Sequence, residues 1–62
     1  IQELAADALY GLGKVELAQG NTREAERLGQ ESLKIFEMIG HPGTQDVQLW
    51  LSEISAADTS GF

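Results

Sequence analysis

The sequence predicts an all-α fold in which an antiparallel helix-turn-helix unit is followed by a third helix. Three observations favour this fold. Apolar residues recur at the spacings of three and four that place them on one face of a helix. Glycine and proline interrupt this pattern at Gly20 and again between Gly40 and Gly43. No stretch shows the alternation of apolar and polar residues, enriched in β-branched side chains, that is typical of a strand.

The first helix is predicted over about residues 1–19. Gly20 follows it, and glycine is the usual residue just past the end of a helix. One stripe of apolar residues has helical spacing, and we expect this stripe to be buried: Ile1, Leu4, Ala5, Ala8, Leu12 and Val15.

The second helix is predicted over about residues 21–39. We expect the Asn21 side chain to accept hydrogen bonds from the free amides of the first turn, with Glu24 placed for a return contact of the capping-box type. Gly40 ends this helix, and Pro42 prevents it from resuming. Its expected buried face consists of Ala25, Leu28, Ser32, Ile35, Phe36 and Ile39.

The third helix is predicted over about residues 44–57, with Thr44 as its N-cap and Asp46 favouring its positive end. Short connectors make neighbouring helices antiparallel. Four residues form the apolar stripe of this helix and are expected in the core: Val47, Trp50, Leu51 and Ile54.

Composition excludes several classes of function for a chain of 62 residues with a formal net charge of -6. Without cysteine there is no disulfide framework and no thiolate metal site, and we expect no cofactor. The acidic charge argues against nucleic acid and anionic membranes as partners. No apolar run approaches the length of a membrane-spanning helix, and we expect a cytoplasmic protein. The chain starts at Ile1 inside an apolar pattern, and we interpret it as a piece of a larger protein.

The third helix is similar in pattern to the first. A shift of 39 positions places Ala8, Leu12 and Val15 on Val47, Leu51 and Ile54, whereas a shift of 38 places Leu9 and Leu12 on Val47 and Trp50. The sequence is compatible with both alignments. A period near 40 residues is in the range of helical solenoids.

The chain resembles a tetratricopeptide repeat (TPR), a helix-turn-helix unit. The run Leu9-Tyr10-Gly11-Leu12-Gly13 matches the family's large first position and its Leu-Gly pair. Gly20 matches the turn glycine, and Ala25 matches the small residue of the second helix. The resemblance implies that Gly13 and Ala25 lie where the two helices cross closely. It implies one full repeat, about residues 6–44, plus a following helix.

Four positions depart from the family pattern. Glu16 stands where the family prefers Tyr, Gly29 replaces an aromatic residue and Ser32 replaces the second Ala. The closing proline is displaced to Pro42 because the second helix is about a turn longer. The extended second helix is similar to those of longer repeats in bacterial signalling ATPases and transcriptional regulators.

Candidate catalytic groups are few, and we expect no enzymatic activity. His41 is the only possible general base at neutral pH, and we interpret it as a solvated loop residue. The carboxylate pairs Glu3 with Asp7 and Glu24 with Glu31 have helical spacing but are typical of an ordinary charged helix surface. The Gly11-x-Gly13 sequence lacks the strand and the lysine of a phosphate loop.

The sequence therefore favours a protein-protein interaction module. By the resemblance, four positions on the first helix match the ligand-facing residues of the inner, concave surface: Asp7, Tyr10, Lys14 and Leu17. An exposed Tyr and Leu would suit a protein or peptide partner. The alternatives are a self-assembling unit that forms a homo-oligomer through unpaired repeat faces, and a regulatory segment of a larger bacterial ATPase or regulator.

Overall fold

The computed structural model describes residues 1–59, with side chains through residue 56, and it confirms the all-α fold. The three helices are α1 (Gln2–Ala18), α2 (Thr22–Ile39) and α3 (Gly43–Thr59). Each boundary falls within two residues of its predicted position. The described residues contain no strand.

Both turns are built on a glycine in the left-handed backbone region, with φ of 87° at Gly20 and 66° at Gly40. The amide after each glycine reaches back to a carbonyl in the last turn of the helix. Asn21 N donates to Glu16 O at 2.8 Å, and His41 N donates to Phe36 O at 2.9 Å. This is the Schellman arrangement, and it satisfies carbonyls that a helix end would otherwise leave free.

α1 and α2 are antiparallel, as predicted. The hydroxyl of Ser32 donates to the carbonyl of Ala6 at 2.8 Å. About two turns further along α1, Gly13 faces the Ala25 carbonyl on α2. Sequence number therefore rises along one helix as it falls along the other. α2 and α3 are antiparallel by the same criterion, because Gly29 faces Leu51 while Phe36 lies beside Gly43.

α3 runs in the same direction as α1, because both helices pair antiparallel with α2. Its Trp50 side chain contacts Gly13 and Tyr10 of α1. At the other end of the molecule, His41 contacts Glu3. Residues of α1 are thus about 40 positions away from the residues that they contact in α3 and in the turn before it. This separation is close to the period of the sequence similarity between α1 and α3.

The core is small and lies along both sides of α2. Phe36 is its largest buried side chain. The expected burial of Leu28, Val47 and Ile54 is confirmed, as is that of the small Ser32. Among residues 1–56, six apolar residues are buried: Ala6, Ala25, Leu28, Phe36, Val47 and Ile54.

The predicted buried stripe of α1 is wrong. Leu4, Leu12 and Val15 face outward, with 69%, 53% and 52% of their surfaces exposed. α1 instead turns Ala6 and Gly13 toward its neighbours. The two small residues allow the backbones to approach closely enough for Ser32 to reach the Ala6 carbonyl. α1 has apolar residues on both sides. The side with the small residues Ala6 and Gly13 packs against the other helices, and the side with the larger apolar residues is exposed.

The expected N-caps also differ. Asn21 makes no side-chain cap. Its Nδ2 donates to Glu16 Oε1 at 2.6 Å, and Glu24 pairs with Arg27 instead of returning to the helix start. Thr44 lies inside α3, where its hydroxyl donates to the His41 carbonyl. The side chains expected to cap therefore bind other groups. Asn21 pairs with the Glu16 carboxylate, Glu24 with Arg27, and Thr44 with the His41 carbonyl.

Candidate functional site

The four residues predicted on the concave surface differ in exposure. Asp7 and Lys14 are exposed, whereas Tyr10 and Leu17 are half-buried. The Tyr10 ring packs edge to face against Trp50, with ring centroids 5.3 Å apart and an interplanar angle of 74°. Tyr10 is therefore part of the contact between α1 and α3, contrary to the expectation of a free surface side chain.

Lys14 adds a positive charge to this contact. Its Nζ lies 4.2 Å from the centre of the Tyr10 ring, within the range of a cation-π interaction. The ammonium group remains exposed. Lys14 and Asp7 can therefore meet charged groups of a partner while Tyr10 provides the apolar base beneath Lys14.

Trp50 lies against two glycines. A Cβ atom on Gly13 would lie 2.9 Å from Trp50 Cη2, and one on Gly29 would lie 2.8 Å from Trp50 Cζ3. The glycine at position 29 thus makes room for an aromatic ring that α3 supplies. Trp50 is half-buried by this packing, which agrees with its interpretation as a structural residue.

A continuous uncharged surface covers the side of α1 that faces away from α2. We call it the outer face. Ile1 has 103% of its reference surface exposed, and the remaining members are also exposed. The charged residues of α1 lie on the flanks or on the opposite side. The outer face consists of Ile1, Leu4, Ala5, Ala8, Gly11, Leu12, Val15 and Ala18.

The sequence indicated the members of the outer face other than Gly11 and Ala18 as a set but assigned them to the wrong environment. Their helical spacing predicts one face, and the structure does place them on one face. Spacing alone does not say whether a face points inward. The signal that could have decided it is the small pair Ala6 and Gly13 on the opposite side, because close helix packing requires small residues.

His41 is not a simple solvated loop residue. Its ring stacks on Phe36 with centroids 4.5 Å apart. Nδ1 accepts a hydrogen bond from the Gly43 amide, and Nε2 lies 2.8 Å from Glu3 Oε2. Because Nδ1 accepts, the neutral ring carries its proton on Nε2, toward Glu3. His41 thus joins the second turn, α3 and the start of α1.

The carboxylate pair Glu24 and Glu31 is part of an ion-pair network centred on Arg27. Arg27 donates to Glu24 at 2.5 Å and to Glu31 at 3.1 Å, one turn of helix on either side. The hydrogen bond from Arg27 lowers the pKa of Glu24 below its ordinary value. The same pairing raises the pKa of Arg27. The Glu24 carboxylate is therefore held ionised and is not tuned to exchange protons near neutral pH.

In the part of the chain that the structure describes, the other features offer no site with a recognisable chemistry. Within residues 1–59, no three acidic or histidine side chains are arranged to hold a metal ion. None of the helices in that range has the length and apolar character needed to cross a membrane. No family model matches the chain, and neither does a curated protein or a solved structure. The outer face and the surface around Tyr10 are therefore the candidate functional surfaces.

Proposed function

We propose that the chain is a protein-protein interaction module of the TPR type, without catalytic activity of its own. The observation that carries the proposal is the outer face of α1. Contiguous exposed apolar surface on a small protein marks a site that another protein covers. The face spans most of a 17-residue helix and carries no charged side chain.

The arrangement of the helices supports the TPR part of the proposal. An antiparallel pair is followed by a third helix that runs parallel to the first, about 40 residues later in the sequence. Gly13 and Ala25 meet at a close helix crossing, where the resemblance places small residues. This geometry suits a solenoid in which each new unit packs on the one before it.

The surface around Tyr10 is a second candidate for partner binding. Lys14 and Asp7 are exposed and carry opposite charges, and Lys14 lies over the Tyr10 ring. A peptide with its own charged and apolar residues would fit such a surface. The half-burial of Tyr10 and Leu17 leaves less apolar area here than on the outer face, which is therefore the main candidate.

A photo-crosslinking amino acid at position 12 tests the main candidate. The matched control carries the same amino acid at position 49, because Leu49 is also an exposed leucine, with 63% of its surface accessible, but lies on α3. Crosslinked products formed in the source cells are identified by mass spectrometry. Each identified protein is then purified and its binding to the unmodified chain is measured by calorimetry.

We expect a product at position 12 that is absent at position 49. Leu12→Arg should weaken binding of the purified partner at least about 10-fold, because an arginine side chain cannot be buried in an apolar interface without a partner charge. Leu49→Arg should leave it unchanged. The proposal is wrong if position 12 captures no protein, copies of the chain included, or if both arginine variants bind equally well.

A further inference from the structure

We propose that His41 is a pH-sensitive switch at the start of α3: its neutral ring caps this helix, and its protonation removes the cap while the contact with Glu3 is kept. The switch is independent of the outer face and of the proposed function. It follows from the hydrogen bonds at the two ring nitrogens, from the packing that holds the ring and from the charged groups around it.

The two nitrogens of the His41 ring have different partners. Nδ1 accepts a hydrogen bond from the Gly43 amide at 2.8 Å, and Nε2 lies 2.8 Å from Glu3 Oε2. The Gly43 amide is the first of α3, and the amides of a first turn have no acceptor within their own helix. His41 thus provides, from two residues before this amide, an acceptor of the kind that serine, asparagine or aspartate usually provides at a helix start.

Only the neutral ring can act as this cap. An unprotonated ring nitrogen accepts a hydrogen bond, whereas a charged histidine ring donates from both nitrogens and accepts at neither. After proton uptake, Nδ1 and the Gly43 amide would be two donors facing each other at 2.8 Å. Turning the ring over does not restore the bond, because the other nitrogen is also protonated. The cap is therefore lost in every orientation of the charged ring.

The contact with Glu3 responds differently to the same proton. Nε2 carries a hydrogen in both states, so it can donate to the Glu3 carboxylate before and after protonation. In the charged state this hydrogen bond is also an ion pair. The Glu3 side chain is 56% exposed, so solvent screens most of the added attraction. Protonation thus keeps the link between α1 and the second turn but removes the hydrogen bond that fixes the start of α3.

Packing holds the His41 ring in the position that the switch requires. The ring stacks on Phe36 at an interplanar angle of 25°, and Phe36 itself is buried. A Cβ atom on Gly43 would lie 2.9 Å from Nδ1, so the lack of a side chain there allows the ring to approach the amide. The His41 side chain is 27% exposed, which gives protons from solvent access to the ring.

The charged groups near the ring come from all three helices. On α1, Glu3 contacts the ring, and the amino terminus at Ile1 is two residues from Glu3 in the sequence. On α2, Glu37 lines the same surface depression as His41. On α3, uncharged side chains line that depression, and Asp46 lies in the first turn. Of these side chains, only histidine ordinarily changes its charge between about pH 5 and pH 8.

NMR spectroscopy of the ¹⁵N-labelled chain between about pH 8 and pH 5 tests the switch. At the upper pH, the ring nitrogen shifts should show the proton on Nε2, and a coupling through the hydrogen bond should join Nδ1 to the Gly43 amide nitrogen. As the ring takes up its second proton, this coupling should disappear. The helical Cα shifts of Gly43 and Thr44 should decrease over the same pH range.

His41→Asn is the matched control for the titration. The asparagine Oδ1 is bonded to Cγ, as Nδ1 is in histidine, so it can accept from the Gly43 amide, and it does not titrate. The shifts of the first turn of α3 should therefore be the same at both pH values in this variant. Glu3→Gln separates the two contacts of the ring. It should still lose the Gly43 coupling on protonation, because that loss depends on Nδ1 alone.

Several results would overturn the switch. The proposal is wrong if the neutral ring carries its proton on Nδ1, if the ring remains neutral at the lower pH, or if the first turn of α3 is unchanged while the ring titrates. An equal pH response in His41→Asn would assign the change to another group. Circular dichroism should show that most of the helicity is kept at the lower pH, and loss of the whole fold there would contradict a change confined to the start of α3.

Discussion

The indole of Trp50 lies directly against the backbone of Gly13, so that a Cβ atom on Gly13 would be only 2.9 Å from Trp50 Cη2. The same position is 3.3 Å from the Ala25 carbonyl oxygen. Gly13 is therefore the point at which all three helices meet, and it leaves no room for a side chain.

Replacement of Gly13 by alanine should destabilise the fold. We expect Gly13→Ala to lower the free energy of unfolding by about 1–3 kcal/mol, because the rigid indole and the Ala25 carbonyl must both move. Gly11→Ala is the matched control, since no other element of the described chain lies within 4 Å of a Cβ there. It should raise the free energy of unfolding by about 0.5–1 kcal/mol through better helix propensity.

Urea denaturation at low protein concentration measures both changes without interference from self-association. The ordering of the two variants decides the outcome. A Gly13→Ala protein as stable as Gly11→Ala would show that the three helices do not meet at Gly13.

Two leucine-to-alanine changes test which face of α1 is buried. Leu28 is 7% exposed, and Leu28→Ala should cost about 2–5 kcal/mol by lost burial and by the cavity left behind. Leu12 is 53% exposed, and Leu12→Ala should cost under about 1 kcal/mol in the monomer. Thermal unfolding followed by circular dichroism compares them. Equal costs would place Leu12 in the core and reverse the orientation of α1.

His41 should stabilise the start of α3. In His41→Phe the stacking on Phe36 is kept, but the Gly43 amide loses its acceptor, and we expect a loss of about 0.5–2 kcal/mol, as for other helix caps. Glu3→Gln keeps an oxygen near Nε2 and should change stability by less than about 0.5 kcal/mol. Urea denaturation measures both. If Glu3→Gln were as destabilising as His41→Phe, the charge of Glu3 and not the cap would be the main contribution.

The Glu24–Arg27 pair should give a measurable acid dependence. The pKa of Glu24 is lower in the folded chain than in the unfolded chain, because Arg27 donates to the carboxylate. Its contribution to stability is therefore present above the unfolded pKa and is lost as the pH falls through the folded pKa. The contribution should be small, because the pair is exposed to solvent.

An NMR titration of the Glu24 carboxyl carbon checks this expectation. In Arg27→Gln the pKa of Glu24 should rise toward its ordinary value. The pH dependence of the urea midpoint should become correspondingly weaker in acid. An unchanged Glu24 titration in Arg27→Gln would mean that the ion pair does not persist in solution.

The sequence was sufficient to predict the helices and their ends, because these depend on local chemistry. Gly20 and Gly40 adopt the left-handed conformation that glycine tolerates best, so they end α1 and α2 as predicted. α2 was also oriented correctly as far as Phe36, since its buried residues occupy one side and most of its charged residues the other. Leu28 and Phe36 could therefore point in one direction only. Ile39, which was expected on the buried face, is 38% exposed at the end of the helix.

The orientation of α1 and the contacts of His41 could not be predicted in this way. α1 has apolar residues on both sides, and its packed side is decided by the close approach of Ala6 to Ser32, which lies on another helix. His41 depends on Glu3, which is 38 positions away in the sequence. In both cases the observed contact joins residues that are far apart in the sequence. The helical pattern of a single segment contains no information about such contacts.

The central position of α2 has a consequence for how the chain folds. Each of its two packed interfaces joins helices that are neighbours in the sequence, so most native contacts close loops of moderate length. Proteins with such local contacts fold rapidly, on timescales of microseconds to milliseconds. The Trp50 and His41 contacts link α1 to the distant half of the chain. Either helical hairpin can therefore form first, and these two contacts are expected to form last, after both hairpins are in place.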